Sequence, residues 1–199
     1  MSVAYDDREH SYNHGPYMIA DLDRMPRDAR YELVNGWIVM SPWPSIRHDH
    51  AVRNLRMQLE AAVTRVGADL YVNGPVDVFT STGIRVPDVA VIDGKAARRA
   101  IERDDRAYQG ADLLLVVEVV SRESGSERTD RYEKPSEYAA AGIGEYWVVD
   151  LEPKPNITVW TLVPGHGVYR RAERVFAGDL LEVRAPVELT IDPAVLVSV

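Results

Sequence analysis

Two carboxylates sit inside apolar runs of this sequence, Asp88 in "IRVPDVAVI" and Glu118 in "DLLLVVEVVS". Both runs read as β-strands, and the second reads as a strand buried on both faces. An ionised carboxylate taken out of water without a partner costs on the order of several kcal/mol, so each acid calls for a compensating charge. Side chains alternate across a strand. One face of the second run therefore carries Leu113, Leu115, Val117 and Val119, and the other carries Leu114, Val116, Glu118 and Val120. In the first run Val86, Asp88, Ala90 and Ile92 share a face. Two such acids on neighbouring strands could chelate one divalent cation through hard oxygen ligands, which suits magnesium or manganese. The sequence has no cysteine, which excludes disulfides, thiolate zinc sites and cysteine nucleophiles.

The surrounding pattern indicates the elements that must hold these acids. A short helical piece is expected around Met18 to Asp28. "YELVNGWIVM" then reads as a hairpin turning at Asn35-Gly36, with Glu32 on its first strand. From Ser45 an amphipathic helix is set by Val52, Leu55, Leu59, Ala62, Val63 and Val66 and is closed by Gly67. The segments "LYVNGPVDVFT" and "IRVPDVAVI" read as strands, and Gly94 to Gly110 as a loop or loose helix. After the buried strand at 113–120, "RYEKPSEYAAAG" reads as a helix closed by Gly142 and "EYWVVDL" as a strand. Asn156 to Val199 is expected to be hairpin-like β structure. Residues 1–16 are expected to form a flexible tail with no assigned role, and residues 17–199 a single domain.

"YELVNG", "VPDVAVI", "VVEVVS" and "DRYEKPSEYAAAGIGEYWVVD" follow one another in the order and spacing of the Uma-type restriction-endonuclease family, within the PD-(D/E)xK nuclease-like group. The resemblance spans roughly Met18 to Leu162. It implies an α/β (α+β) restriction-endonuclease-like fold, with a mixed β-sheet core flanked by helices, an N-terminal hairpin and a C-terminal β-rich extension. It further implies a magnesium-dependent endonuclease acting on DNA, with Mn2+ as a possible substitute. Asp88 and Glu118 would be the metal-binding acids, Lys134 the lysine that serves the reacting water, and Glu32 an added acid from the hairpin. The lysine position two residues after the second acid is Val120 here, and the resemblance implies that the lysine has migrated to the helix at Lys134. Pro135 suggests that this helix begins near Glu133 or kinks there. The Val119 carbonyl is the expected third protein ligand to the metal.

Other residues are read more plainly. His48 and His50, spaced i and i+2, point to different helix faces, make a poor chelating pair and are expected to be solvated. Arg47 and His48 could touch DNA phosphate if that helix flanks the cleft. Tyr132, Tyr138, Tyr146 and Trp147 are expected in the core or an interface, Ser121 in a turn or cap, and Glu145 and Asp150 at solvent. The formal charge of −8 runs against a basic nucleic-acid footprint, and positive charge is clumped at Arg47, Arg53 and Arg56, at Arg98, Arg99, Arg103 and Arg106, and at Arg170 and Arg171. Each clump taken alone reads as a solvated face. No apolar run is long enough to cross a bilayer and no signal peptide is evident, so a cytoplasmic location is expected. A homodimer is expected because two symmetric sites suit the cutting of both strands of duplex DNA. The alternative is a nuclease-like module that binds protein or DNA without cutting.

Overall fold

The computed structural model describes residues 15–26, 29–41, 44–120 and 126–199. The expectations for residues 1–14 and for Ser121 lie outside the described residues.

After a short helix α1 (Ile19–Leu22), strands β1 (Arg30–Val34) and β2 (Trp37–Ser41) form the expected hairpin. Asn35 and Gly36 both have positive φ, 50° and 80°, the backbone twist that joins a two-residue turn to right-twisted strands. Helix α2 (Ile46–Val66) also follows the sequence: the Ser45 side chain accepts from the His48 N–H at its start, and Gly67 closes it at φ 65°. Its buried stripe includes Ala51, Leu55, Leu59 and Ala62, each burying apolar surface worth up to roughly 1.5–3 kcal/mol for the leucines.

The two β segments that follow each divide. "LYVNGPVDVFT" becomes β3 (Leu70–Asn73) and β4 (Val78–Thr80), and "IRVPDVAVI" becomes β5 (Gly83–Arg85) and β6 (Val89–Asp93). β3 and β6 join one sheet and β4 and β5 another, so both segments cross between sheets, and Val86 to Asp88 form one of the crossings. The arginine-rich stretch is a defined helix, α3 (Gly94–Arg103). The Asp93 side chain caps it by accepting from the Ala96 N–H at 2.9 Å, and Gly94, Ala96 and Ala97 are small enough to be buried beneath it. Short β7 (Tyr108–Gln109) precedes the buried strand β8 (Leu113–Val120).

A π-helical turn (Thr129–Glu133) then runs without a break into α4 (Lys134–Ala140); Pro135 follows the π turn, and the Asp130 carbonyl in the turn before it accepts from the Tyr146 hydroxyl. The chain closes α4 through Gly142 at φ 86° and continues as β9 (Glu145–Asp150), the hairpin β10 (Asn156–Val163) and β11 (Val168–Phe176), and the pair β12 (Leu181–Val183) and β13 (Leu189–Ile191).

The main sheet has the order β11-β10-β9-β8-β6-β3, and the second β2-β1-β5-β4-β7. On one face of the main sheet Val89, Val91, Leu115, Val117, Val119, Trp147 and Val149 pack on α2 and the C-terminal strands. On the other, Ala90, Ile92, Val116, Val120, Tyr146 and Val148 pack with Val78 of β4 and Tyr138 of α4. The alternation assigned to β8 holds except at Leu113. That residue joins the face of Val116 because the pairing with β6 slips between Val91↔Leu115 and Ile92↔Leu113. Among the described residues no helix is long and apolar enough to cross a membrane.

Candidate active site

β6 and β8 are antiparallel, with Val89 opposite Val117 and Ala90 opposite Val116. Asp88 immediately precedes β6, and its N–H donates to the Val117 carbonyl at 3.1 Å, which brings it beside the end of β8 that carries Glu118; both side chains line one cleft. Like charges brought together in this way repel, and Asp88 adds to the forces that raise the Glu118 pKa. The strands therefore hold two carboxylates together against their own electrostatics, and the neighbouring residues supply the compensation.

Lys134 is the centre of that compensation. Its ammonium lies 2.9 Å from Glu118 Oε1, 3.1 Å from Glu32 Oε1 and 2.9 Å from Asp130 Oδ1, and the residue is 5% exposed. It opens α4 without a free helix end, since its N–H bonds the Thr129 carbonyl of the preceding turn, and three carboxylates surround its ammonium. Burial works against its charge, yet Glu118, Glu32 and Asp130 hold its pKa well above the usual lysine range. The Tyr138 hydroxyl, one helical turn on, donates to Glu118 Oε1 at 2.9 Å.

Glu32 reaches the site from β1. It accepts from Arg85 Nη1 at 2.8 Å and from the Val86 N–H at 3.1 Å. Arg85, also fully buried, donates Nε and Nη2 to the two oxygens of Glu137 at 2.6 Å each. Glu32–Arg85–Glu137 thus ties β1 and β5 to α4 and fixes the turn that carries Lys134. Burial opposes ionisation of Glu32, but Lys134 and Arg85 keep its pKa below the ordinary value.

Asp88 is bound on both oxygens. Oδ1 accepts from Arg30 Nη1 at 3.0 Å; Oδ2 accepts from the Val119 N–H at 2.9 Å and lies 3.2 Å from His48 Nε2. Burial alone would raise its pKa, and His48, the Val119 amide and Lys134 bring it below the ordinary value. The strand directs the N–H and C=O of one residue to the same edge, so Val119 presents its carbonyl to the edge where Asp88 lies.

Among the described residues the buried carboxylates Glu32, Asp88, Glu118, Asp130 and Glu137 outnumber the permanent cations Arg30, Arg85 and Lys134. The deficit is visible in Glu118: burial pushes its pKa well above the carboxylate range, Lys134 relieves this only in part, and Asp130, Asp88 and Glu32 add to it. Asp130 is raised for the same reason, again despite Lys134. Its Oδ1, although near the ammonium, takes no hydrogen bond. Oxygen donors and an excess of buried carboxylates over cations fit a hard divalent cation. Among the described residues no three Asp, Glu or His side chains converge closely enough to hold an ion unaided. Any such ion would rest on two carboxylates, a backbone carbonyl and waters, a set that Mg2+ accepts.

The cleft over these groups has a volume of about 280 Å3 and is lined by residues that include Arg30, Glu32, Ser41, His48, Asp88, Glu118, Asp130 and Lys134. A larger hollow of about 570 Å3 beside α3 contains none of the clustered acids, and its Arg99 and Arg106 are paired with Asp112 and Asp77. Chemistry rather than volume locates the site.

The structure thus brings together Asp88, Glu118, Val119, Lys134 and Glu32. It corrects several other expectations. His48 is buried against Asp88 rather than solvated, whereas His50 points elsewhere and meets the Ser198 carbonyl. Glu145 is buried and accepts from Trp147 Nε1, and Asp150 is held by Arg131. Tyr138, Tyr146 and Trp147 are core residues, but Tyr132 is 74% exposed on the π-helical turn. Arg30, Arg85, Asp130 and Glu137 were not singled out by sequence. The spacing of Lys134, Glu137 and Tyr138 on one helix face was the available signal for Glu137.

A two-acid cleft at the end of paired strands, with a buried lysine from the following helix, defines a restriction-endonuclease-like protein. The family model "Uma2: Putative restriction endonuclease" matches residues 19–194, and the chain belongs to that family. No curated protein matches the chain. The fold is similar to the crystal structure of "a putative nuclease belonging to DUF820" from Anabaena variabilis ATCC 29413, at 15% identity and a TM-score of 0.64, covering 89% of this chain and 95% of that one.

Proposed function

We propose that this protein is a divalent-metal-dependent endonuclease that hydrolyses phosphodiester bonds of duplex DNA, with Mg2+ as the ion and Mn2+ as a substitute. The observation that carries this reading is the convergence of Asp88 and Glu118 on one cleft, beside Lys134, where among the described residues the buried acids exceed the cations. Asp88, Glu118 and the Val119 carbonyl would hold the ion. When bound, it would polarise the phosphodiester and acidify a water. Lys134, kept protonated by its acids, would act as a charge stabiliser rather than a base, its ammonium supplying positive charge at the floor of the cleft beneath the phosphate, an effect worth a few kcal/mol in comparable sites. Glu32 orients the lysine, and Arg85 orients Glu32. A homodimer would present two such sites to the two strands.

The test is cleavage of plasmid and linear duplex DNA with Mg2+ or Mn2+. Products should disappear with a chelator and with Asp88→Ala or Glu118→Ala. The second reading, a module that binds without cutting, draws support from Val120 at the usual lysine position and from the closure of Asp88 by Arg30 and His48. Duplex binding that persists without any metal-dependent cleavage would select it.

A further inference from the structure

We propose that Arg30 is the phosphate-binding residue of this cleft: it holds Asp88 while no cation is bound and exchanges that carboxylate for a substrate phosphodiester when one is. The inference rests on the nuclease reading above.

Among the described residues, Arg30, Arg85 and Lys134 belong to the acid cluster, and the last two are sealed. The Arg85 and Lys134 side chains are 2% and 6% exposed and are spanned by two and three carboxylates respectively. Arg30 is different. Its side chain is 26% exposed, it stands at the first position of β1, and among the described residues its ion pair is with Asp88, through Oδ1. The other oxygen of Asp88 is secured without it, by the Val119 amide and His48. A divalent cation at Asp88 would take over the neutralisation of Oδ1 and would repel the guanidinium, so Arg30 is the contact that the site can release.

The cleft shows where the released group would go. Arg30 and Val86 line both the acid cleft and a second hollow of about 540 Å3, so the two compartments meet at this side chain. The second hollow offers Leu22, Met25, Pro26 and Pro75 as apolar wall, enough for a sugar or base next to a phosphate. Its other arginine, Arg106, is already held by Asp77 and Asp23. A guanidinium fits a phosphate with two parallel N–H donors. Arg30 therefore marks the wall along which the nucleotide next to the scissile bond would lie.

The experiment compares wild type, Arg30→Ala and Arg30→Lys, as full chains, in two binding measurements. One is Mn2+ affinity by calorimetry without nucleic acid; the other is affinity for a fluorescent duplex oligonucleotide in Ca2+, by anisotropy. Arg30→Ala should bind Mn2+ severalfold more tightly, because the competing cation has gone, and should bind duplex roughly tenfold or more weakly. Arg30→Lys should lie between the two. Should the alanine variant not fold, Arg30→Gln gives the same pair of readings. A merely structural arginine would lose both affinities together. That result, or unchanged duplex affinity, overturns the proposal while wild-type cleavage leaves the nuclease reading standing. A wild type that binds neither Mn2+ nor duplex overturns both.

Discussion

An ammonium among three buried carboxylates reverses the usual penalty for an interior lysine, and the same contacts make Lys134 a structural as well as a chemical residue. Removing one partner of a buried ion pair costs about 3–5 kcal/mol, because the remaining charge keeps its desolvation penalty. Lys134→Ala should therefore lower stability by several kcal/mol in the absence of divalent ions. Part of that loss should return on adding Mg2+, which can take the vacated charge. Thermal melts of the variant with and without Mg2+ check this, and an equal loss in both conditions would contradict it. Cleavage by the folded variant should fall by about 10²-fold or more. At this scale the sequence was informative about the acids and less so about their neighbours. Asp88 and Glu118 stood out because charge inside an apolar run is anomalous. Arg30, Arg85 and Asp130 stood in polar or mixed segments, where a charged residue raises no question until its partner is known.

Register decides at the scale of elements. Alternation told which residues of each strand share a face, but only the pairing of Val89 with Val117, together with the Asp88 N–H on the Val117 carbonyl, brings Asp88 to the end of β8 that carries Glu118. Helix α2 offers a parallel case: its buried positions 51, 55, 59 and 62 extend back by a turn to His48, so the stripe contained the histidine although its apolar members began later. Gly74 positions Asp88 in a way no periodicity could reveal. A Cβ there would lie 2.1 Å from the Asp88 carbonyl oxygen and 2.8 Å from Val89 Cα, both backbone. Gly74→Ala should displace Asp88 and weaken Mn2+ binding at least tenfold in calorimetry. Gly67→Ala, with nothing within 4 Å and only its φ of 65° to strain, should cost about 1 kcal/mol and leave Mn2+ affinity unchanged.

β9 carries its own test. Burial raises the pKa of Glu145 to about 7, against a partial opposing effect of the Trp147 hydrogen bond. The folded state then keeps a proton that the unfolded chain releases near pH 4.5, so this residue lowers stability progressively as pH rises from about 4.5 to 7. Glu145→Gln, which can still accept from Trp147, should stabilise the protein at pH 8 by up to about 3 kcal/mol and make no difference near pH 4. Denaturant titrations at the two pH values measure it.

Over the whole molecule, the charge of −8 and the clumped arginines posed an apparent contradiction for the proposed nuclease reading. The structure reduces it by pairing. Arg98 binds Asp69, Arg99 binds Asp112, Arg106 binds Asp77 and Arg47 binds Glu152, so much of the positive charge serves to tie elements together. What sequence composition could not convey is that part of the negative excess lies inside, at the cleft, where among the described residues five buried carboxylates meet three cations. A divalent ion would thus bind the folded state, where the acids converge, and not the unfolded chain, where they are dispersed. At a free ion concentration a hundredfold above Kd, that linkage adds about 2.7 kcal/mol. For a chain of this length the midpoint of thermal unfolding should rise by about 5–10 °C with Mg2+ or Mn2+. Asp88→Asn and Glu118→Gln should each abolish most of the rise while remaining folded. Calorimetric scans of the three proteins with and without the ion provide the measurement. A wild-type midpoint that does not move at any ion concentration would mean that the interior carboxylates are satisfied by Arg30, His48 and Lys134 alone.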